Sequence, residues 1–108
     1  MLGFGRKRIE SFTATEVAER RASGEIVLVD VREAVEFARG HIEGAIPFPL
    51  STFDPGKLPE GALMFYCAVG RRSAVAAESA RKAGANVAGH MGDGLTGWVG
   101  AGLPIVTR

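Results

Sequence analysis

Cysteine is all but missing from this chain, with Cys67 the sole one among 108 residues. Its rarity excludes an intramolecular disulfide and a Cys-x-x-Cys redox pair, and it points to a reducing, cytoplasmic setting. Any sulfur or oxidant loaded onto Cys67 must then be removed by a thiol of another molecule. Histidine is nearly as scarce. His41 and His90 lie far apart, so no cluster has metal-ligand spacing and no metal is expected. The net charge is only +1, which gives no electrostatic reason to expect nucleic acid or an anionic membrane surface as a partner. No segment approaches the roughly 20 apolar residues of a membrane span. No Gly-x-Gly-x-x-Gly follows a strand, so no dinucleotide site is expected, and no other cofactor is called for. Residues 1–10 lack the apolar stretch of a signal peptide, and their Arg6-Lys7-Arg8 reads as a solvated tail.

What remains is an ordinary globule, 46% hydrophobic and 23% charged, long enough for one domain over residues 11–108 with a layered core. Thr13-Ala-Thr-Glu16 has the capping-box pattern and predicts a helix over 14–22, ended by Ser23-Gly24. The unbroken apolar run at 26–29 predicts a strand buried on both faces, with Asp30 and Arg32 at its end. A brief helix over 33–39 closes on Gly40. A short strand at 45–48 follows, and 51–61, polar and proline-bearing, reads as an irregular connection. The pattern then gives a strand at 62–66, a helix at 72–83 capped by Gly84, a strand at 86–91 and a short helix at 95–101. Strands alternating with helices at these spacings imply parallel strands in an α/β layered fold. Such sheets bind ligands at the carboxyl ends of their strands, where Asp30 and Cys67 both fall.

The organising stretch is Ala62-Leu63-Met64-Phe65-Tyr66-Cys67-Ala68-Val69-Gly70-Arg71-Arg72-Ser73-Ala74-Val75. An apolar strand runs into the thiol, and a basic, glycine-bearing loop leads straight into a helix. Loop amides and a helix N-terminus directed at the sulfur favour thiolate over thiol. A lone free cysteine is more commonly inert packing. A packing cysteine, however, sits more naturally inside the run than at its end. Two arginines at a helix N-terminus oppose the helix dipole and so need a cause beyond surface charge.

Cys67-Ala-Val-Gly-Arg-Arg72 resembles the active-site loop, Cys-x-x-Gly-x-Arg, of the single-domain rhodaneses. Val29-Asp30-Val31-Arg32 with Glu36-Phe37, Gly40-His41-Ile42-Glu43-Gly44-Ala45, Gly94-Leu95-Thr96-Gly97-Trp98 and Gly102-Leu103-Pro104-Ile105-Val106 are similar to further segments of that family, in its order. Asp93 departs from it, standing where the family commonly has the first glycine of a Gly-Gly pair, so an altered turn before the last helix is expected. The resemblance implies a three-layer fold with a mainly parallel central sheet flanked by helices. It also implies a sulfurtransferase that moves a sulfane sulfur from thiosulfate or a persulfide to a thiol or cyanide through a Cys67 persulfide.

On that reading Cys67 is the catalytic nucleophile. Ala68, Val69, Gly70, Arg71 and Arg72 bind the donor through amides and guanidinium groups. Asp30 and Arg32 shape the pocket, or equally form a buried ion pair. The partners are a small-molecule sulfur donor and a thiol acceptor, with a docked acceptor protein and the oligomeric state left open. Two alternatives stand beside it. A relay or protein-binding module would turn over little small-molecule donor, although loss of the loop cysteine is what inactivates such domains and this chain keeps it. A cysteine phosphatase or arsenate reductase uses Cys-x5-Arg, whereas position six here is Ser73 and Arg72 is at five. His41 reads as a turn residue bound to backbone, Trp98 and Phe37 as packing, and His90 has no assigned role.

Overall fold

The computed structural model describes residues 8–108, so most of the basic triplet at 6–8 lies outside the described residues. Five strands form one wholly parallel sheet: β1 (Ser11–Phe12), β2 (Val27–Asp30), β3 (Ile46–Pro47), β4 (Leu63–Tyr66) and β5 (Val87–Met91), in the order β1-β5-β4-β2-β3. Four helices, α1 (Ala14–Ala22), α2 (Ala34–Arg39), α3 (Arg71–Lys82) and α4 (Gly94–Gly100), connect or follow them. The α/β class, the parallel sheet and the helical layers agree with the sequence pattern. One strand does not. β1 is only two residues long and pairs with His90 and Met91 at the sheet edge, too short to carry any periodicity.

Local chemistry explains the elements. In α1, Glu16 N–H donates to Thr13 Oγ1 at 3.1 Å and Thr13 N–H donates to Glu16 Oε1 at 2.9 Å, completing the capping box. The connection expected over 51–61 is entered by one 3-10 turn, Leu50–Thr52, and contains a second, Pro55–Lys57. Phe48, Leu50, Phe53 and Leu58 from this region pack on the core, so its irregular backbone still covers one side of the sheet.

Side chains of a strand alternate between faces. Met64 and Tyr66 of β4 and Leu28 of β2 therefore join Val17 of α1 and Trp98 of α4 in one buried cluster. Leu63 and Phe65 with Val29, and Cys67 and Val31 just beyond the strands, join Ala76, Ala77 and Ala80 of α3 in the other. The alanines let α3 lie close against the sheet, immediately behind the cysteine. Chain direction across the sheet also matters. From β2 the chain passes outward to β3, and from β4 it passes the other way to β5. The topological switch thus lies between β2 and β4, where a parallel sheet opens a crevice at its carboxyl edge. Cys67 is the first residue beyond β4 at that edge.

Candidate active site

Cys67 is buried, with its sulfur surrounded by hydrogen-bond donors. Gly70 N–H donates to Sγ at 3.1 Å and Ser73 N–H donates at 3.3 Å, while the Ser73 hydroxyl lies 3.6 Å away. Burial pushes the thiol up. The Ser73 hydroxyl and the amides of Ser73, Gly70 and Val69 outweigh it, and the net result is a thiol held below its ordinary value.

The backbone is built for this. Gly70 is the residue before α3, with φ +98° and no side chain to cap the helix. A Ser or Asp in that place would occupy the first-turn amides; glycine leaves the Ser73 amide to the sulfur. A Cβ on Gly70 would stand 2.1 Å from Gly92 O, so the loop closes tightly on the end of β5. Its outer side is fixed by α4, where Leu95 N–H donates to Cys67 O at 2.8 Å and Thr96 N–H donates to Ala68 O at 3.1 Å. With their carbonyls held outward, the loop peptides present N–H groups inward. Asp93 does not disturb the turn as its departure from the motif led one to expect. It sits at φ −89°, ψ −7°, open to any residue, whereas Gly94 has φ +64° and a Cβ there would lie 2.4 Å from Ala68 O. The second glycine of the pair is the one the geometry demands, and it is present.

The arginines are distributed differently from the sequence expectation. Arg72 Nη1 donates to Glu36 Oε1 at 2.8 Å and Nη2 donates to Glu36 Oε2 at 3.0 Å, a two-pronged pair between α3 and α2. Glu36 supplies the cause for one of the two cations at this helix N-terminus. Its carboxyl is pulled down to about 2, first by the hydrogen bond from Arg72, against the opposing cost of burial, and further by Glu33 N–H and the charge of Arg32. Arg71 is exposed and, among the described residues, pairs with no carboxylate.

Asp30 and Arg32 form the buried ion pair that was one of their two readings. Arg32 Nε lies 3.0 Å from Asp30 Oδ1 and Arg32 Nη2 lies 2.7 Å from Oδ2, and Nη2 also donates to Gly40 O at 2.7 Å. Asp30 shares the face of Leu28 and Tyr66, the opposite one from Cys67. No hydrogen bond joins the pair to the sulfur; it anchors the turn after α2. His41 belongs to that turn too, with Nδ1 2.9 Å from Phe37 O and its ring stacked on Phe37 at 3.7 Å.

Two residues of the site escaped sequence reasoning. Ser73 entered it only as the position where a longer loop would have its arginine, yet its amide and hydroxyl both face the sulfur. His90, at the end of β5, has Nδ1 2.8 Å from Ser73 Oγ. Nothing in the sequence brings 73 and 90 together; parallel pairing of β4 with β5 does.

A family profile for the rhodanese-like domain matches residues 13–101. The chain belongs to the rhodanese-like family. Among solved structures, a rhodanese-related protein from Thermoplasma volcanium superimposes with a TM-score of 0.81 at 30% identity, covering 94% of this chain and 100% of that one. A human single-domain sulfurtransferase, TSTD1, does so with a TM-score of 0.71 at 27% identity, covering 83% and 95%. A curated relative, the uncharacterized protein slr1261 of Synechocystis, is 39% identical over 89 residues, which are 80% of this chain and 50% of that protein. The chain spans half or less of the length of the curated relatives it matches. The rhodanese-like family thus includes sulfurtransferases, and this member keeps the loop cysteine. No helix of the described residues is long and apolar enough to cross a membrane.

Proposed function

We propose that this rhodanese-like domain is a sulfurtransferase with Cys67 as its nucleophile. The observation that carries the reading is the ring of donors around one buried sulfur, with Gly70 N–H at 3.1 Å and Ser73 N–H at 3.3 Å. In the first half-reaction the thiolate attacks the outer sulfur of thiosulfate or a persulfide. The donor's S–S bond breaks, and sulfite or a thiolate leaves with its electron pair. Cys67 becomes a persulfide, whose terminal charge the same amides hold, as an oxyanion hole holds oxygen. A thiol or cyanide then attacks the terminal sulfur, and Cys67 leaves as thiolate, completing a ping-pong cycle. The Val69, Gly70 and Ser73 amides belong to this site, with the Ala68 carbonyl as its outer anchor, and Arg71 is the guanidinium available to an anionic donor. A reducing, cytoplasmic setting suits an enzyme with one free thiol.

Arg72 supports a narrower version of the reading. Its charge is matched by Glu36, so the mouth presents less positive potential than the two arginines imply, which favours a persulfide over thiosulfate as donor and accommodates a sulfur relay to a partner protein. Phosphatase chemistry fits less well. The group six positions after the thiol is the small Ser73, turned onto the sulfur itself, and no arginine side chain reaches it.

Intact mass after incubation with thiosulfate or glutathione persulfide tests the proposal. The wild type is expected to gain the mass of one sulfur atom, discharged by cyanide, and Cys67→Ala to gain none. Loading that persists in Cys67→Ala, or is absent from the wild type with every donor, removes the proposal's basis.

A further inference from the structure

The Ser73 hydroxyl stands at a crossing. Within reach of its oxygen are Cys67 Sγ at 3.6 Å, Gly70 O at 3.2 Å and His90 Nδ1 at 2.8 Å. A hydroxyl has one proton and two lone pairs. The Gly70 carbonyl can only accept, and a thiolate can only accept. The direction of the shortest contact, to His90, therefore decides whether Ser73 has a proton left for the sulfur. If Nδ1 accepts, Ser73 spends its proton on the imidazole and turns a lone pair toward Sγ, which favours the neutral thiol. If Nδ1–H donates, the hydroxyl proton is released to the sulfur and to Gly70 O, and a charged acceptor draws it more strongly than a carbonyl.

We propose that His90 is a positioning residue that donates from Nδ1 to Ser73 and so turns the Ser73 proton onto the Cys67 thiolate. The whole chain of contacts is buried: Ser73 is 0% exposed, Cys67 1% and His90 9%. In such surroundings water does not compete for the hydroxyl, and the orientation chosen by His90 is worth more than it would be at a surface. Burial also lowers the imidazole's proton affinity, so His90 is neutral near pH 7 and which nitrogen holds its proton is a real choice. The thiolate makes that choice: its charge is satisfied only in the arrangement Nδ1–H to Oγ, Oγ–H to Sγ. Geometry supports a fixed ring position as well. His90 is in register with Phe65, two residues before Cys67, and its N–H donates to Glu10 O at 2.9 Å, so the backbone that carries the imidazole is tied on both sides. His90 touches no reacting atom and acts through Ser73.

The inference rests on the sulfurtransferase reading for its purpose, but both measurements below are made on resting protein without a sulfur donor, so its failure and that reading's failure are separate outcomes. The first needs no variant. Nitrogen-15 NMR of His90 above the thiol midpoint is expected to show Nδ1 protonated and Nε2 bare; the reverse tautomer overturns the proposal. In the second, the thiol is titrated by its ultraviolet absorbance in the wild type and four variants, with circular dichroism confirming the fold. His90→Leu is expected to raise the thiol's ionisation midpoint by about one pH unit, a tenfold change in its ionisation constant and the worth of one hydrogen bond to a charged group. His90→Asn, which offers an amide N–H near the place of Nδ1, reverses most of that rise. Ser73→Ala raises the midpoint by itself, and adding His90→Leu to Ser73→Ala raises it no further. Equal rises from His90→Leu with and without the Ser73 hydroxyl would show that His90 does not act through Ser73.

Discussion

β2 and β4 run side by side in register, with Asp30 opposite Tyr66, and each delivers an ionisable group to the same carboxyl edge of the sheet. The two ends treat charge in opposite ways. At the end of β2, a carboxylate meets a whole cation: Asp30 and Arg32 neutralise one another, and a further N–H of the guanidinium is taken by Gly40 O. At the end of β4, the sulfur is hydrogen-bonded to no ion, only to amide and hydroxyl dipoles. A full ion pair is inert because each partner is already satisfied, and moving either leaves a buried charge uncompensated. Dipoles stabilise an anion without bonding it to a particular partner, so the anion stays free to form a bond and to reappear when that bond breaks. The β2 end is suited to structure for this reason, and the β4 end to the chemistry proposed for it.

Breaking the β2 end is expected to have the largest effect. Arg32→Met leaves Asp30 buried without its cation, which costs on the order of 3–5 kcal/mol and lowers Tm by roughly 15 °C or more for a domain of this size. Sulfur loading per folded molecule is expected to survive, since the pair lies on the far face from Cys67. Thermal denaturation followed by intact mass on the soluble fraction checks both halves. Normal stability with lost loading would return Asp30 and Arg32 to the substrate-binding role that the sequence also allowed.

Breaking the β4 end is expected to invert that pattern. In Gly70→Ala the new Cβ would stand 2.1 Å from Gly92 O at a φ of +98°, so the loop must shift and withdraw its amide from the sulfur. Loss of one such donor costs about 100-fold or more in rate. Sulfur-loading kinetics, together with alkylation by iodoacetamide, should show both reactions slowed and the alkylation midpoint moved up in pH. A Gly70→Ala protein that loads sulfur at the wild-type rate would mean that the amide ring is not what activates the thiol.

How far the sequence revealed these two ends follows from the range of the forces at each. The strand run into Cys67, the Gly70 turn and the helix behind it are contiguous, so local patterns made the β4 end readable, and the capping box of α1 was readable for the same reason. β1 was not, because two residues have no period and its pairing partner is 79 residues away in the case of Ser11 and His90. The partner of Arg72 was hidden as well. Only the fold, which starts α2 and α3 side by side at the carboxyl edge of the sheet, brings Glu36 to it, and a motif that contains both residues does not say that they touch. Asp30 and Arg32, two apart on one strand edge, left both of their roles open until the face on which they lie was seen.

The Glu36–Arg72 pair lies between the two extremes and gives the smallest expected effect. It is a true ion pair, like the one on β2, but both side chains keep about a third of their surface in water, 35% for Arg72 and 29% for Glu36. Solvent screening then limits its worth to stability, and Glu36→Gln is expected to cost less than about 1 kcal/mol. Its effect on the site is the better measurement. Releasing Arg72 raises the positive potential at the mouth, so KM for the doubly charged thiosulfate is expected to fall about two- to fivefold while KM for a singly charged alkyl persulfide falls less. The pH dependence separates this from a change in fold. Glu36 titrates at about 2 in the folded protein against an ordinary 4.5. A depressed carboxyl contributes stability that is present above its unfolded value and is lost as pH falls through its folded one. The pair therefore holds throughout the range above 4.5 and dissolves only on the way down to 2. In the wild type, mild acid cannot free Arg72, so Glu36 adds no pH dependence to thiosulfate binding above 4.5, whereas Glu36→Gln frees Arg72 at every pH. A variant whose KM for thiosulfate is unchanged would show that the arginine faces away from the donor even when unpaired, and would leave Arg71 as the cation that meets it.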